Sequence, residues 1–204
     1  SQFEKKFSPK DTLWIIFSGH GTHDAAKGEG YLLPIASDFQ SANTSGISNL
    51  DFLTHLNGIL AGKIILIVDS CFAGALTDAI ARDGQRKTKK LNAPFLIGSG
   101  GMEPVDNGKG HSPFAEALIH VLQNNKEETL QLTDLVTKLH AYMQKKGVPQ
   151  DPFGNQLNCC GVDNGASKYY LSLKEEPPGD LEKHPSKMTL SELIETLFEE
   201  TRCR

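Results

Sequence analysis

The sequence predicts an α/β fold, a three-layer α/β/α sandwich around a mostly parallel central sheet. Short β-branched apolar runs recur at residues 12–17, 63–68 and 94–97, each ending in small or polar residues. Runs of that kind are the habit of parallel strands buried on both faces. Stretches with helical spacing lie between and after them. No run is long enough to cross a bilayer, the longest being of the Ile64 to Val68 kind.

The run at 12–17 leads directly into Ser18-Gly19-His20-Gly21. Residues 49–60 carry Leu50, Leu53, Leu56 and Leu60, a helical stripe. The run at 63–68 leads into Asp69-Ser70-Cys71-Phe72-Ala73-Gly74. Residues 82–90, RDGQRKTKK, are polar and basic and read as a loop before the third strand. Ser112 then Pro113 predicts a helix cap with proline in the first turn, directing Phe114, Ala117, Leu118, Val121 and Leu122 inward. Thr133 is expected to cap a further helix with Leu135, Val136, Leu139 and Met143 on one face. Residues 168–173 are a late strand candidate. Residues 175–187 are rich in proline and charge and read as a linker. Residues 189–201 are expected to form an acidic amphipathic helix with Leu190, Leu193, Ile194, Leu197 and Phe198, short enough to need something to pack on. The expected organisation is a core over 1–174, a linker over 175–188 and a C-terminal helix over 189–204, docked on the core or leading to another domain.

Composition narrows the function classes. Hydrophobic residues make up 38% and charged residues 23%, which fits a folded soluble chain rather than a disordered one. A net charge of −4 offers no broad basic surface for nucleic acid. No charged-then-apolar signal peptide opens the chain. The four cysteines, Cys71, Cys159, Cys160 and Cys203, include no C-x-x-C pair, so no zinc cage is signalled. They read as reduced thiols in a cytoplasmic protein. No P-loop and no G-x-G-x-x-G after a strand supports nucleotide binding, despite 19 glycines.

The chemistry concentrates at two strand ends. In a parallel sheet, His20 and Cys71 both emerge at carboxyl ends, where α/β proteins build their sites. Neighbouring strands would set them side by side. An imidazole there can take the thiol proton, and the thiolate is the nucleophile. The backbone N–H groups of Gly21 and Cys71 would face a developing oxyanion. His23 is a lesser alternative base, and His55, His111, His120, His140 and His184 have no such context.

S-G-H-G after one strand and D-S-C-F-A-G after the next resemble the caspase-like cysteine peptidases. The family includes caspases, metacaspases, paracaspases and bacterial relatives. His20 precedes Cys71 at about the 50-residue spacing of caspases, although the caspase signature Q-A-C-[RQG]-G is absent. D-S-C-x-x-G is closer to metacaspases and bacterial relatives, as are Gly98-Ser99-Gly100-Gly101-Met102-Glu103-Pro104 and His111-Ser112-Pro113-Phe114. The resemblance spans roughly residues 11–173. It implies a cysteine endopeptidase with a His20–Cys71 dyad, the alternative being a catalytically silent module that binds partners. It implies a primary pocket in which Asp69, Glu103 and Asp106 select Arg over Lys; the plain alternative is a braced loop and solvated charges. It gives residues 82–90 two readings, a solvated loop or a self-cleavage segment offering Arg82, Arg86, Lys87, Lys89 and Lys90.

The resemblance also implies two strands and a helix before the histidine strand. They do not precede it here, so that strand is expected near a sheet edge, with a separate N-terminal fragment as one way to complete the sheet. No cofactor or required metal is expected. Asp24, Glu29 and Asp38 lack EF-hand spacing, and calcium dependence is left open. A protein substrate is the expected partner, with a sensor or scaffold domain and a stress or antiviral defence role as further implications; nucleic acid and membrane are not expected.

Overall fold

The computed structural model describes residues 7–77, 94–100, 110–157 and 169–172. Along the chain come β1 (Thr12–Ser18), β2 (His20–Asp24), β3 (Glu29–Leu33), a 3-10 turn at Phe39–Ser41, α1 (Ala42–Ser45), β4 (Ile47–Ser48), α2 (Asn49–Asn57), β5 (Lys63–Asp69), β6 (Phe95–Gly98), α3 (Pro113–Gln123), β7 (Thr129–Gln131), α4 (Leu132–Lys145), β8 (Phe153–Gln156) and β9 (Tyr170–Ser172). The chain divides into two compact units, one of residues 1–104 with 150–167 and one of 105–149 with 168–204.

The first unit holds a four-stranded sheet in the order β1-β5-β6-β8. β1 and β5 run parallel, from Thr12 opposite Lys63 to Ser18 opposite Asp69. β6 continues the parallel set, and β8 closes it antiparallel. The sheet is therefore mixed and mostly parallel, as the sequence predicts. β5 supplies the core: Ile64 to Val68 are all buried, and Leu66 is fully so. Leu53, Leu56 and Ile59 pack into the same cluster with Leu96 and Leu76. β2, β3 and the short β4 form a separate antiparallel sheet.

In the second unit, α3 and α4 pack together, and β7 pairs with β9 antiparallel. Ser112 caps α3 by accepting the Ala115 N–H at 3.0 Å, with Pro113 in the first turn. The inward residues Phe114, Ala117, Leu118, Val121 and Leu122 are all buried.

Three expectations need correction. α2 stops at Asn57, where the Gly58 N–H closes the helix on His55 and Leu56 carbonyls. Leu60 therefore leaves the helical phase and stands 61% exposed, Leu50 is 40% exposed, and Ile59 takes the buried place. Thr133 does not cap α4. The helix starts two residues earlier, with Gln131 in the cap position, and Thr133 lies inside it with its carbonyl accepting the Thr137 hydroxyl. β1 is only half-buried, because among the described strands it is an edge. The linker at 175–188 and the helix at 189–204 lie outside the described residues.

Candidate active site

β1 and β5 are hydrogen-bonded neighbours, so their carboxyl ends lie together at Ser18 and Asp69. Beyond that pair the Gly19 N–H still donates to the Asp69 carbonyl at 3.1 Å. The chain then turns into β2 with His20, and on the other side into the loop of Ser70 and Cys71.

The two segments touch at Gly21, which is buried. A side chain there would collide with the Cys71 carbonyl oxygen and lie 2.5 Å from the Ser70 hydroxyl. Only glycine permits so close an approach. Alternation along β2 puts His23 on the same side as Gly21. Its ring stacks on Phe72, centroids 6.1 Å apart. His20 is exposed, its imidazole edge-on to Phe39 at 5.3 Å. Cys71 is half-buried and takes part in no disulfide.

The loop bearing Cys71 is strained. Phe72 has φ 59°, the left-handed region that bulky residues avoid. A tight turn follows, with the Ala75 N–H on the Phe72 carbonyl at 2.8 Å. Upstream, Asp69 is 4% exposed and Ser70 fully buried. Ser70 donates its hydroxyl to the Cys71 carbonyl at 3.2 Å and its N–H to Ser99 Oγ at 3.3 Å.

Beside His20 the β2–β3 hairpin borders a cavity of about 300 Å³ lined by Thr22, His23, Asp24, Tyr31 and Phe39 among others. Phe39 is shared between this cavity and the His20 ring. At the hairpin tip the Lys27 and Ala26 N–H groups donate to Asp24. Chiefly the Lys27 N–H holds the Asp24 carboxyl below its usual range. Asp38 accepts the Gln40 N–H, and Glu29 the Leu50 N–H. Each of the three loop acids thus serves local structure. Among the described residues no group of three or more His, Cys, Asp or Glu is arranged to hold a metal, and no helix is long and apolar enough to cross a membrane.

Of the residues singled out in the sequence, His20, Gly21, Asp69 and Cys71 fall on these adjoining segments. Glu103 and Asp106 lie outside the described residues, as do Arg82, Arg86, Lys87, Lys89 and Lys90. Sequence reasoning missed Ser70, Ser99, Phe72 and Phe39 as neighbours of the site. Only Ser99, set between glycines right after an apolar run, left a signal. The family model described as the Peptidase_C14 caspase domain matches residues 2–162. No curated protein matches the chain significantly.

Proposed function

The chain belongs to the caspase-domain family of cysteine peptidases, and from that premise we propose that it is an endopeptidase with a His20–Cys71 dyad, cutting protein substrates after a basic residue, Arg over Lys. The observation that carries the proposal is the packing of Gly21, the residue after His20, against the carbonyl of Cys71, on the face of β2 that also carries His23, the alternative base. It supports a shared site at the paired ends of β1 and β5.

In the proposed reaction His20 takes the thiol proton and the Cys71 sulfur attacks the scissile carbonyl carbon. Negative charge moves to the carbonyl oxygen, where the N–H groups of Gly21 and Cys71 stabilise it. The tetrahedral intermediate collapses as His20 passes the proton to the leaving amine, giving a thioester on Cys71. Water, deprotonated by His20, then attacks the thioester; the carbon–sulfur bond breaks, the new carboxyl end leaves, and His20 returns the proton to the Cys71 thiolate. The exposure of His20 suits an imidazole that must meet both amine and water.

The basic preference rests on Asp69. A buried carboxylate two residues before the nucleophile favours a guanidinium partner, which it can hold through paired hydrogen bonds. Glu103 and Asp106 join it in this proposal, and the Arg82–Lys90 region supplies the sites at which the enzyme would process itself. The setting proposed is cytoplasmic, with a sensor or scaffold domain as partner.

Digestion of a peptide library by wild type beside Cys71→Ala tests the reading. The expected result is cleavage after Arg, weaker after Lys, and none by the variant. Equal cleavage by the variant overturns the dyad, and preference for Asp or Leu overturns the pocket. Processing between residues 82 and 90 that persists in purified Cys71→Ala overturns self-cleavage.

A further inference from the structure

β6 ends at Gly98, and the next residue is a serine with no exposed surface. Ser99 makes three hydrogen bonds to the adjoining end of β5 and the residue after it. Its N–H donates to the Val68 carbonyl at 3.0 Å, extending the β5–β6 ladder by one residue. Its hydroxyl then spans Ser70: it accepts the Ser70 N–H at 3.3 Å and donates to the Ser70 carbonyl at 3.3 Å.

The need for such a group follows from the geometry. Where β5 gives way to the loop, the two backbone groups of Ser70 have left the strand ladder. Buried backbone groups require partners. A hydroxyl is donor and acceptor at once and meets both needs from one position. Downstream of Cys71 the backbone is strained at Phe72, and such a conformation persists only when its surroundings over-determine it. On that side the loop is held by the Phe72–Ala75 turn and the His23 ring. On the other side Ser99 holds it.

We infer that Ser99 is a positioning residue: its hydroxyl pins the peptide before Cys71 to the end of β6 and so aims the sulfur. This rests on the reading of Cys71 as nucleophile. Ser99 touches no reacting atom; it acts through the Ser70 backbone and, from there, through the link between the Ser70 hydroxyl and the Cys71 carbonyl. Alanine at 99 would leave both Ser70 groups unmet at a site where no surface is open to water.

The test compares wild type, Ser99→Ala, Ser99→Thr and Ile97→Val. Ile97→Val trims the same strand and gives a stability loss unconnected to Ser70. Two readouts are taken: kcat and KM on an Arg-ended peptide, and the pH profile of iodoacetamide alkylation at Cys71, read by peptide mapping. Melting curves establish folding. Ser99→Ala is expected to lower kcat by about tenfold to a hundredfold with little change in KM, since a displacement of roughly 1 Å costs that much. Its alkylation profile shifts, Ser99→Thr recovers most of both, and Ile97→Val matches wild type.

A folded Ser99→Ala with wild-type kcat and alkylation profile overturns the inference. If alanine prevents folding, Ser99→Thr decides: wild-type behaviour supports the hydroxyl, and a folded but inert protein refutes it. Should Cys71→Ala cleave as fast as wild type, the peptidase reading falls, and the alkylation profile still decides for or against the clamp.

Discussion

Gly21→Ala is the most direct perturbation of the contact between the two strand ends. Gly21 does not have a left-handed φ, so alanine meets no conformational penalty there. The cost is steric. The added methyl lies 2.5 Å from the Ser70 hydroxyl and nearer still to the Cys71 carbonyl oxygen, while ordinary contact begins at 3.4 Å. The serine hydroxyl can rotate, but the carbonyl belongs to the backbone of the nucleophile itself. The Ser70–Cys71 peptide, or β2, must retreat by roughly 1 Å, and a misplacement of that order costs about a hundredfold in rate. Overpacking adds a stability loss of about 1–3 kcal/mol. The assay is kcat on an Arg-ended peptide together with a melting curve. Gly74→Ala is the stability control, since nothing lies within 4 Å of its added carbon. The expectation is a folded Gly21→Ala protein, crippled in kcat, beside a Gly74→Ala protein that melts as wild type does. A folded Gly21→Ala variant with wild-type turnover would refute the argument, because the 20–21 and 70–71 segments would then not share a site.

Gly147 follows α4 with φ 70° and open space around it. Gly147→Ala should therefore cost about 1 kcal/mol through backbone conformation alone, read by urea unfolding. Ser112→Ala removes the acceptor for the Ala115 N–H and should lower stability by about 1 kcal/mol in the same assay. The Lys27 N–H holds the folded Asp24 carboxyl below its ordinary range. Its contribution is present above the unfolded value and is lost as pH falls through the lower folded value. Asp24→Asn should thus melt lower than wild type at neutral pH, with the gap closing as pH drops below the usual carboxylate range; a gap that persists in acid would contradict the assignment.

Legibility in the sequence followed burial. β5 and β6 stand out because they are apolar on both faces, which a run such as Ile64-Ile65-Leu66-Ile67-Val68 states outright. α3 was readable from its serine cap and proline. The β2–β3 hairpin was not. His-Gly-Thr-His-Asp has no apolar alternation, and its strand form comes from pairing with Glu29–Leu33, whose Leu32 and Leu33 are buried. β8 was hidden for the same reason: Phe-Gly-Asn-Gln is a strand because β6 offers it an edge. At the site, His20 and Cys71 were visible as reactive residues beside glycines at strand ends. Ser99 also stands between glycines after a strand, but its partners lie 29 residues away in sequence, so its role was not legible.

Buried polarity shows where the sheet gives up stability. Among the described residues five polar or charged ones are buried: Asn49, Asp69, Ser70, Ser99 and Gln150. Asn49 opens α2. The other four share one end of the central sheet. Asp69 ends β5, Ser70 follows it, and Ser99 follows β6. Gln150 precedes β8, which runs the opposite way and so begins at that end. Neither side-chain atom of Gln150 has a hydrogen-bond partner, although the residue is 5% exposed. An unmet buried polar group costs about 1–3 kcal/mol, whereas an apolar residue of similar shape costs nothing of the kind. Gln150→Met, close to it in length, should therefore raise stability by about 1 kcal/mol or more, measured by urea unfolding. A variant less stable than wild type would show that the amide does satisfy a bond in solution. A gain would mean that the chain keeps this end of its sheet polar against its own stability. That is the bargain expected where residues are set for chemistry rather than for packing.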